Sequence, residues 1–211
     1  MDTIKLICFD LDNTLITDNS WKRLNLALGM SEEEDTQLYR DFVDRKISYE
    51  KWNDLVLERY LDHEGANREN ITAVLSQCTY HKGAREAVNY LRERDYELVL
   101  ISGSIDIIVS YVAKDLGITY AKANNTFVFD DNDRLLSIHT HGNDTIAKAD
   151  HLESFCEMLD IKITECACIG DGANDIELFR RTKHGITFND SPIITEAWKV
   201  IDSLSELSEI L

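Results

Sequence analysis

Apolar positions along this chain follow two different rhythms. Ile4-Lys5-Leu6-Ile7-Cys8-Phe9 and Ala167-Cys168-Ile169 are short, nearly continuous apolar runs that stop at acidic segments. Runs of that length fit strands buried on both faces of a sheet. Elsewhere apolar residues recur at the i, i+3, i+4 spacing of an amphipathic helix. Beyond residue 80 the two rhythms alternate. The pattern predicts helices over 84–94, 105–116, 146–159 and 175–181 and strands over 97–101, 167–170 and 185–188, with Gly117 ending the second helix. Such alternation implies an α/β fold with a parallel sheet. Segments 126–129 and 137–141 flank the turn-rich Asp130-Asp131-Asn132-Asp133 and predict a β-hairpin beside the sheet rather than inside it. Residues 195–211 carry no functional signal.

Between residues 18 and 80 the strand rhythm disappears. Ser31-Glu32-Glu33-Glu34 reads as a capping box ahead of Leu38, Tyr39, Phe42 and Val43. A second helix is predicted from Ser48 through Tyr49, Trp52, Leu55, Val56 and Tyr60, and a third over 70–78. The expected organisation is therefore one core formed by 1–17 and 81–211, interrupted by an all-helical cap at 18–80. Segments 14–20 and 78–83 join the two and are expected to act as hinges.

Composition narrows the partners. With 44% apolar residues in a chain of 211, one Pro and no low-complexity stretch, a folded core is expected. Acidic residues outnumber basic ones 39 to 22, a net charge of −17, which argues against nucleic acid or an anionic membrane as partner. The same charge repels an anionic substrate, so a site for one needs local rescue by a cation and backbone amides. A divalent metal is the expected rescuer. Five Cys without a C-x-x-C pair read as buried reduced thiols. No basic segment with an apolar core opens the chain, and no apolar stretch approaches the ~20 residues of a membrane helix. A cytoplasmic protein, monomer or homodimer, is the expectation.

The candidate chemistry lies at strand ends, where open α/β sheets form their sites. Asp10-Leu11-Asp12-Asn13-Thr14 follows the first run and Gly170-Asp171-Gly172-Ala173-Asn174-Asp175 follows a later one. Two carboxylates one residue apart can divide labour, Asp10 as nucleophile and Asp12 as proton donor to the leaving oxygen. An aspartate attacking phosphorus needs its charge bridged, and Mg2+ suits carboxylate and phosphate oxygens. Asp10, the backbone carbonyl of Asp12 and Asp171 are the expected metal ligands, with Asp175 supporting Asp171 from the same face of the following helix. Ser102-Gly103 ends one strand and opens a helix whose N-terminus would receive a phosphate. Lys148 sits early in a helix, where the dipole disfavours a cation unless an anion lies nearby. Taken singly, each has an ordinary reading as turn, helix cap or solvated charge. His139-Thr140-His141, two imidazoles without a third ligand, read as surface residues.

Together Asp10-Leu11-Asp12-Asn13-Thr14, Ser102, Lys148 and Gly170-Asp171-Gly172-Ala173-Asn174-Asp175 resemble the four motifs of the haloacid dehalogenase superfamily, and the arrangement is similar to its phosphoserine phosphatase branch. The resemblance spans essentially the whole chain. It implies a Rossmann-like core with helices on both faces of a parallel sheet, an inserted helical cap, and Mg2+-dependent hydrolysis of a phosphomonoester through an aspartyl-phosphate on Asp10. It also implies phosphate contacts at Ser102, Gly103, Lys148 and Asn174. The chain departs from that branch where substrate is chosen: Asn19 stands where members carry Glu, and Val56 aligns with a cap Arg. Arg23, Arg45 and Arg59 are the candidate replacements, and Tyr49 and Trp52 candidate pocket walls. The expected substrate is a small phosphorylated metabolite. The alternatives are phosphoserine itself, phosphoryl transfer to a small alcohol, metal-free dehalogenation, and a silent phosphate-ester-binding regulator.

Overall fold

The apolar runs of the sequence come together as one seven-stranded sheet. The structure, a computed structural model, describes residues 3–211, so Met1 and Asp2 of the expected core lie outside the described residues. β1 (Leu6–Phe9), β2 (Glu97–Ile105), β3 (Tyr120–Phe129), β4 (Leu135–Thr140), β5 (Cys166–Ile169), β6 (Gly185–Phe188) and β7 (Lys199–Ile201) lie in the order β4-β3-β2-β1-β5-β6-β7. Only β3 and β4 run antiparallel. β1 is the centre because it is apolar on both sides. Ile7 and Phe9 enter one hydrophobic cluster, with α5 (Ala84–Arg92) and α6 (Asp106–Leu116), while Leu6 and Cys8 enter a second, with α7 (Asp144–Leu159) and α8 (Ile176–Thr182). The two-residue period of a strand sends alternate side chains to opposite helix layers. From β1 the chain continues to β2 on one side and reaches β5 on the other, so the topological switch point lies beyond the carboxyl end of β1.

Four helices, α1 (Ser20–Ala27), α2 (Glu32–Val43), α3 (Tyr49–Leu61) and α4 (Arg68–Leu75), separate β1 from α5. Ser31 closes the capping box on α2: its hydroxyl accepts from Glu34 N at 3.2 Å and its own N–H donates to Glu34 Oε2 at 2.9 Å. Tyr39 and Val43 remain exposed on α2. α4, expected over 70–78 as the last of three helices, instead spans Arg68–Leu75, and its earlier start follows from Asn67, which caps it by accepting from Asn70 N. Trp21, Val56, Tyr60 and Ile71 of the block share one hydrophobic cluster with Phe127 and Leu135 of the sheet. The two joining segments pair with each other, Thr17 N donating to Thr79 O at 2.8 Å and His81 N to Leu15 O at 2.9 Å.

Two expectations are corrected. The hairpin does not lie beside the sheet: β3 pairs in parallel with β2 from Tyr120 to Ala123 before its second half pairs with β4. The reason is the β2-α6-β3 crossover, which returns the chain to the sheet just after Gly117 ends α6. Nor does Ser102-Gly103 open a helix, since β2 runs on to Ile105 across an irregular register and α6 starts only at Asp106. Asn125 Nδ2 holds that extension by donating to Gly103 O at 2.8 Å.

All five cysteines are free thiols, four of them buried, with Cys156 Sγ 3.4 Å from Cys166 Sγ. Short α9 (Leu207–Ile210) closes the chain against α5. Close packing elsewhere leaves little tolerance: a Cβ added at Gly185 would overlap the Phe179 side chain at Cβ, Cγ and Cδ2. Gly185→Ala is expected to cost about 1–3 kcal/mol of stability, as overpacked cores do. Urea unfolding checks this, with a lower midpoint at unchanged slope as the expected result.

Candidate functional site

The register of three parallel strands builds the site. Phe9 pairs with Ile169 on one side and Leu100 on the other, so Asp10 and Gly170 emerge side by side where β1 and β5 end, next to the continuing β2. Asp10 N donates to Ile169 O at 2.9 Å, and Gly170 N to Ile186 O at 3.1 Å. Strand hydrogen bonds thus carry the backbone to the first acid of each motif.

Lys148 comes up from α7, fully buried, and its ammonium lies 2.7 Å from Asp10 Oδ1 and 2.7 Å from Asp175 Oδ1. Burial alone would lower its pKa, but the charges of Asp10 and Asp175 outweigh that and raise it well above the ordinary lysine value. Asp171 completes the group: ligand oxygens of Asp10, Asp171 and Asp175 all lie within 4.8 Å of one another. Burial, then the charges of Asp10 and Asp175, push Asp171 up to about 7. Burial raises Asp175 to about 6 against the pull of Lys148. Thr14 Oγ1 donates to Asp171 Oδ1 at 3.3 Å, Ser191 Oγ to Asp171 O at 2.8 Å and Thr187 Oγ1 to Gly170 O at 2.7 Å, which fixes the loop. Asp171 and Asp175 meet through a single 3₁₀ turn, Ala173–Asp175, and not on one face of a helix as their spacing suggests.

Asp12 turns away from this group. Ser20, the first residue of α1, donates its N–H to Asp12 Oδ1 at 3.0 Å and its hydroxyl to Oδ2 at 2.7 Å. Burial still dominates and raises Asp12 to about 7, with Ser20 pulling down and Asp10 pushing up. A carboxyl that keeps its proton near neutrality is suited to donate it.

Of the residues singled out from sequence, Asp10, Lys148, Asp171 and Asp175 meet in one buried cluster, with Asp12 immediately beside it. Ser102 is buried and accepts from Ser104 N at 3.1 Å. Gly103 and Asn174 both lie against the Asp144 carboxylate, Asn174 Nδ2 at 3.5 Å. Asn19 is not brought in: it is exposed and caps α1 by accepting from Lys22 N at 3.0 Å. Val56 is buried in the apolar cluster. Arg23 pairs with Asp18, Arg59 with Glu34, and Arg45 is exposed at a positive-φ position. His139 and His141 are exposed, and Tyr49 lies between α3 and β3, bonded to Asn125 Nδ2 at 2.8 Å.

Sequence reasoning missed Ser20, Trp21, Asn124, Asn125 and Asp144. Two signals were present: adjacent Asn residues within a strand are unfavourable without a special role, and Asp144 stands four residues before Lys148 on one helix face.

The comparisons agree with this geometry. The family model for haloacid dehalogenase-like hydrolases matches residues 4–181. Phosphoserine phosphatase of Methanocaldococcus jannaschii is 29% identical over 98% of this chain and 96% of its own length. That of Streptococcus thermophilus is 26% identical over 97% of each. Among solved structures, a phospho-aspartyl intermediate analogue of phosphoserine phosphatase superposes with a TM-score of 0.82 at 26% identity, covering both chains completely. With its matched span and its acids set at the ends of β1 and β5, this chain belongs to the haloacid dehalogenase-like hydrolases.

Proposed function

We propose that this chain is a phosphoric monoester hydrolase that works through an aspartyl-phosphate on Asp10. The observation that carries the reading is Lys148, held without solvent contact between Asp10 and Asp175 at the switch point of the sheet. The Asp10 carboxylate attacks phosphorus and Asp12 gives its proton to the departing alcohol oxygen. In the second half Asp12 takes a proton from the water that opens the phosphoaspartate, the reverse role of the same group. Lys148, Ser102, the Gly103 amide and Asn174 are the groups to hold the phosphoryl oxygens, and Asp175 keeps Lys148 aimed. Residues 18–80 serve as the cap: Ser20 reaches Asp12, and Trp21 Nε1 donates to Gly103 O at 3.3 Å.

The donor set fits Mg2+. Asp10, Asp12, Asp171 and Asp175 set four carboxyl groups against one ammonium, and oxygen-only ligands are what a hard cation takes. Asp10, Asp171 and the Asp12 carbonyl would hold the ion directly, with Asp175 behind them. Bound there, the ion would supply positive charge to offset repulsion between the Asp10 carboxylate and an anionic phosphoryl group.

Phosphoserine is not the favoured substrate, because Asn19 and Val56 offer no charge to its head group and Arg23 and Arg59 are paired with Asp18 and Glu34. With p-nitrophenyl phosphate as probe, a chelator is expected to lower phosphate release by about 10²-fold or more, as loss of several kcal/mol of charge stabilisation requires. Added Mg2+ restores the rate. Release indifferent to chelation would overturn the reading.

A further inference from the structure

Polar side chains fill the junction between α3 and the β3–β4 hairpin. Asn53 Nδ2 donates to Thr140 Oγ1 at 2.9 Å, the Thr140 hydroxyl to Asn125 Oδ1 at 2.8 Å, and Asn125 Nδ2 to both the Tyr49 hydroxyl and Gly103 O at 2.8 Å. This chain fixes the amides. Thr140 spends its one proton on Asn125 and so faces the NH2 of Asn53, while the Gly103 carbonyl demands the NH2 of Asn125. Asn124 turns its NH2 to the Asp144 carboxylate. Asn53 Oδ1 and Asn124 Oδ1 are left without partners, on residues only 5% and 0% exposed. Both lie near the Tyr49 hydroxyl, which has a single proton to give, so at least one acceptor has no donor. Native interiors rarely leave such groups unpaired.

Asp144 adds a charge to these acceptors. A Cβ on Gly103 would overlap its carboxylate at Oδ2, and Asn174 Nδ2 approaches that same oxygen at 3.5 Å, so it borders the proposed phosphate-contacting residues. Its charge also reaches the Tyr49 phenol. Tyr49 stacks on Trp52 at 5.9 Å, and Trp52 meets Trp21 edge-on at 4.9 Å. Gathered about the Tyr49 side chain are thus a carboxylate, two amide oxygens and aromatic rings, a set that favours a cation.

We propose that Asp144 and the amide oxygens of Asn53 and Asn124 form a head-group subsite for an ammonium, selecting phosphomonoesters whose alcohol carries a primary amine and no carboxylate. An ammonium offers three donors to three acceptors. A substrate carboxylate would meet Asp144 as a like charge. The inference rests on the phosphatase reading for its substrate class.

The test compares 2-aminoethyl phosphate, propyl phosphate and phospho-L-serine with Mg2+, each against p-nitrophenyl phosphate as reference. The amine ester is expected to exceed both competitors by about tenfold or more in kcat/KM, the discrimination available when buried acceptors lose their donor. Asp144→Asn, which keeps shape and removes charge, should bring amine and propyl esters within about threefold, mainly through KM for the amine ester. Asn53→Leu should shift the ratio the same way, and melting curves verify that both variants fold. Calorimetry on Asp10→Asn, which binds without turnover, should give the same order of Kd. Equal affinity for amine and propyl esters overturns the subsite, as does a ratio indifferent to Asp144→Asn or an equal acceleration of every ester by that change. Absence of phosphate release from all esters counts against the phosphatase reading, while calorimetry still decides the subsite.

Discussion

Asp10→Asn should abolish turnover and leave the fold intact. The amide keeps the size of the carboxylate and a carbonyl oxygen for Lys148, which also retains Asp175 at 2.7 Å. What disappears is the anionic oxygen that bonds to phosphorus, and loss of a nucleophile of this kind costs about 10⁴-fold or more. Stability is expected to change by less than about 1 kcal/mol, because the lost ion pair is offset by relief of repulsion on Asp12, Asp171 and Asp175. Phosphate release and urea melts are the two measurements. A variant that folds and retains more than a tenth of the rate would remove Asp10 from the mechanism; a variant that unfolds would make its role architectural.

Lys148→Met should do damage of both kinds. The methionine fills much of the same space, but Asp10 and Asp175 lose the buried cation that touches them both. Removing one partner from a buried charge cluster typically costs about 3–5 kcal/mol, since the remaining charges stay out of water without compensation. Activity should fall by about 10³-fold as well, the scale seen when one preorganised donor to a developing charge is lost. The two effects separate experimentally: melts in chelator should show the full stability loss, and Mg2+ should recover part of it by replacing some of the missing charge. Turnover should stay low with Mg2+ present. Full activity in a destabilised variant would restrict Lys148 to a structural part.

What was readable from sequence was set by local burial. β1 and β5 announce themselves because both faces are covered and every residue is apolar, and their abrupt acidic ends fall at the switch point as open sheets require. The capping box of α2 is equally local, a contact between residues three apart. The extension of β2 through Ser102 and Gly103 was not readable, because it depends on Asn125 of another strand accepting the register. Ser20 gave no sign of its role, since its partner Asp12 is reached only after the chain has folded back on itself. Asp144, Asn53 and Asn124 belong to three separate segments, and nothing in any one of them reveals the other two.

The paired joints between the helical block and the sheet have a mechanical consequence. Thr17 and Leu15 are laced to Thr79 and His81, so the outgoing and returning threads form a single two-ply strap. A block joined by such a band would be hindered from spinning about its joint. Ser20 stands three residues beyond the lacing and grips both oxygens of Asp12. A tilt that lifted α1 off the sheet would strip Asp12 of both donors at once, so under the proposed mechanism the acid would be dressed for proton transfer only with α1 in place.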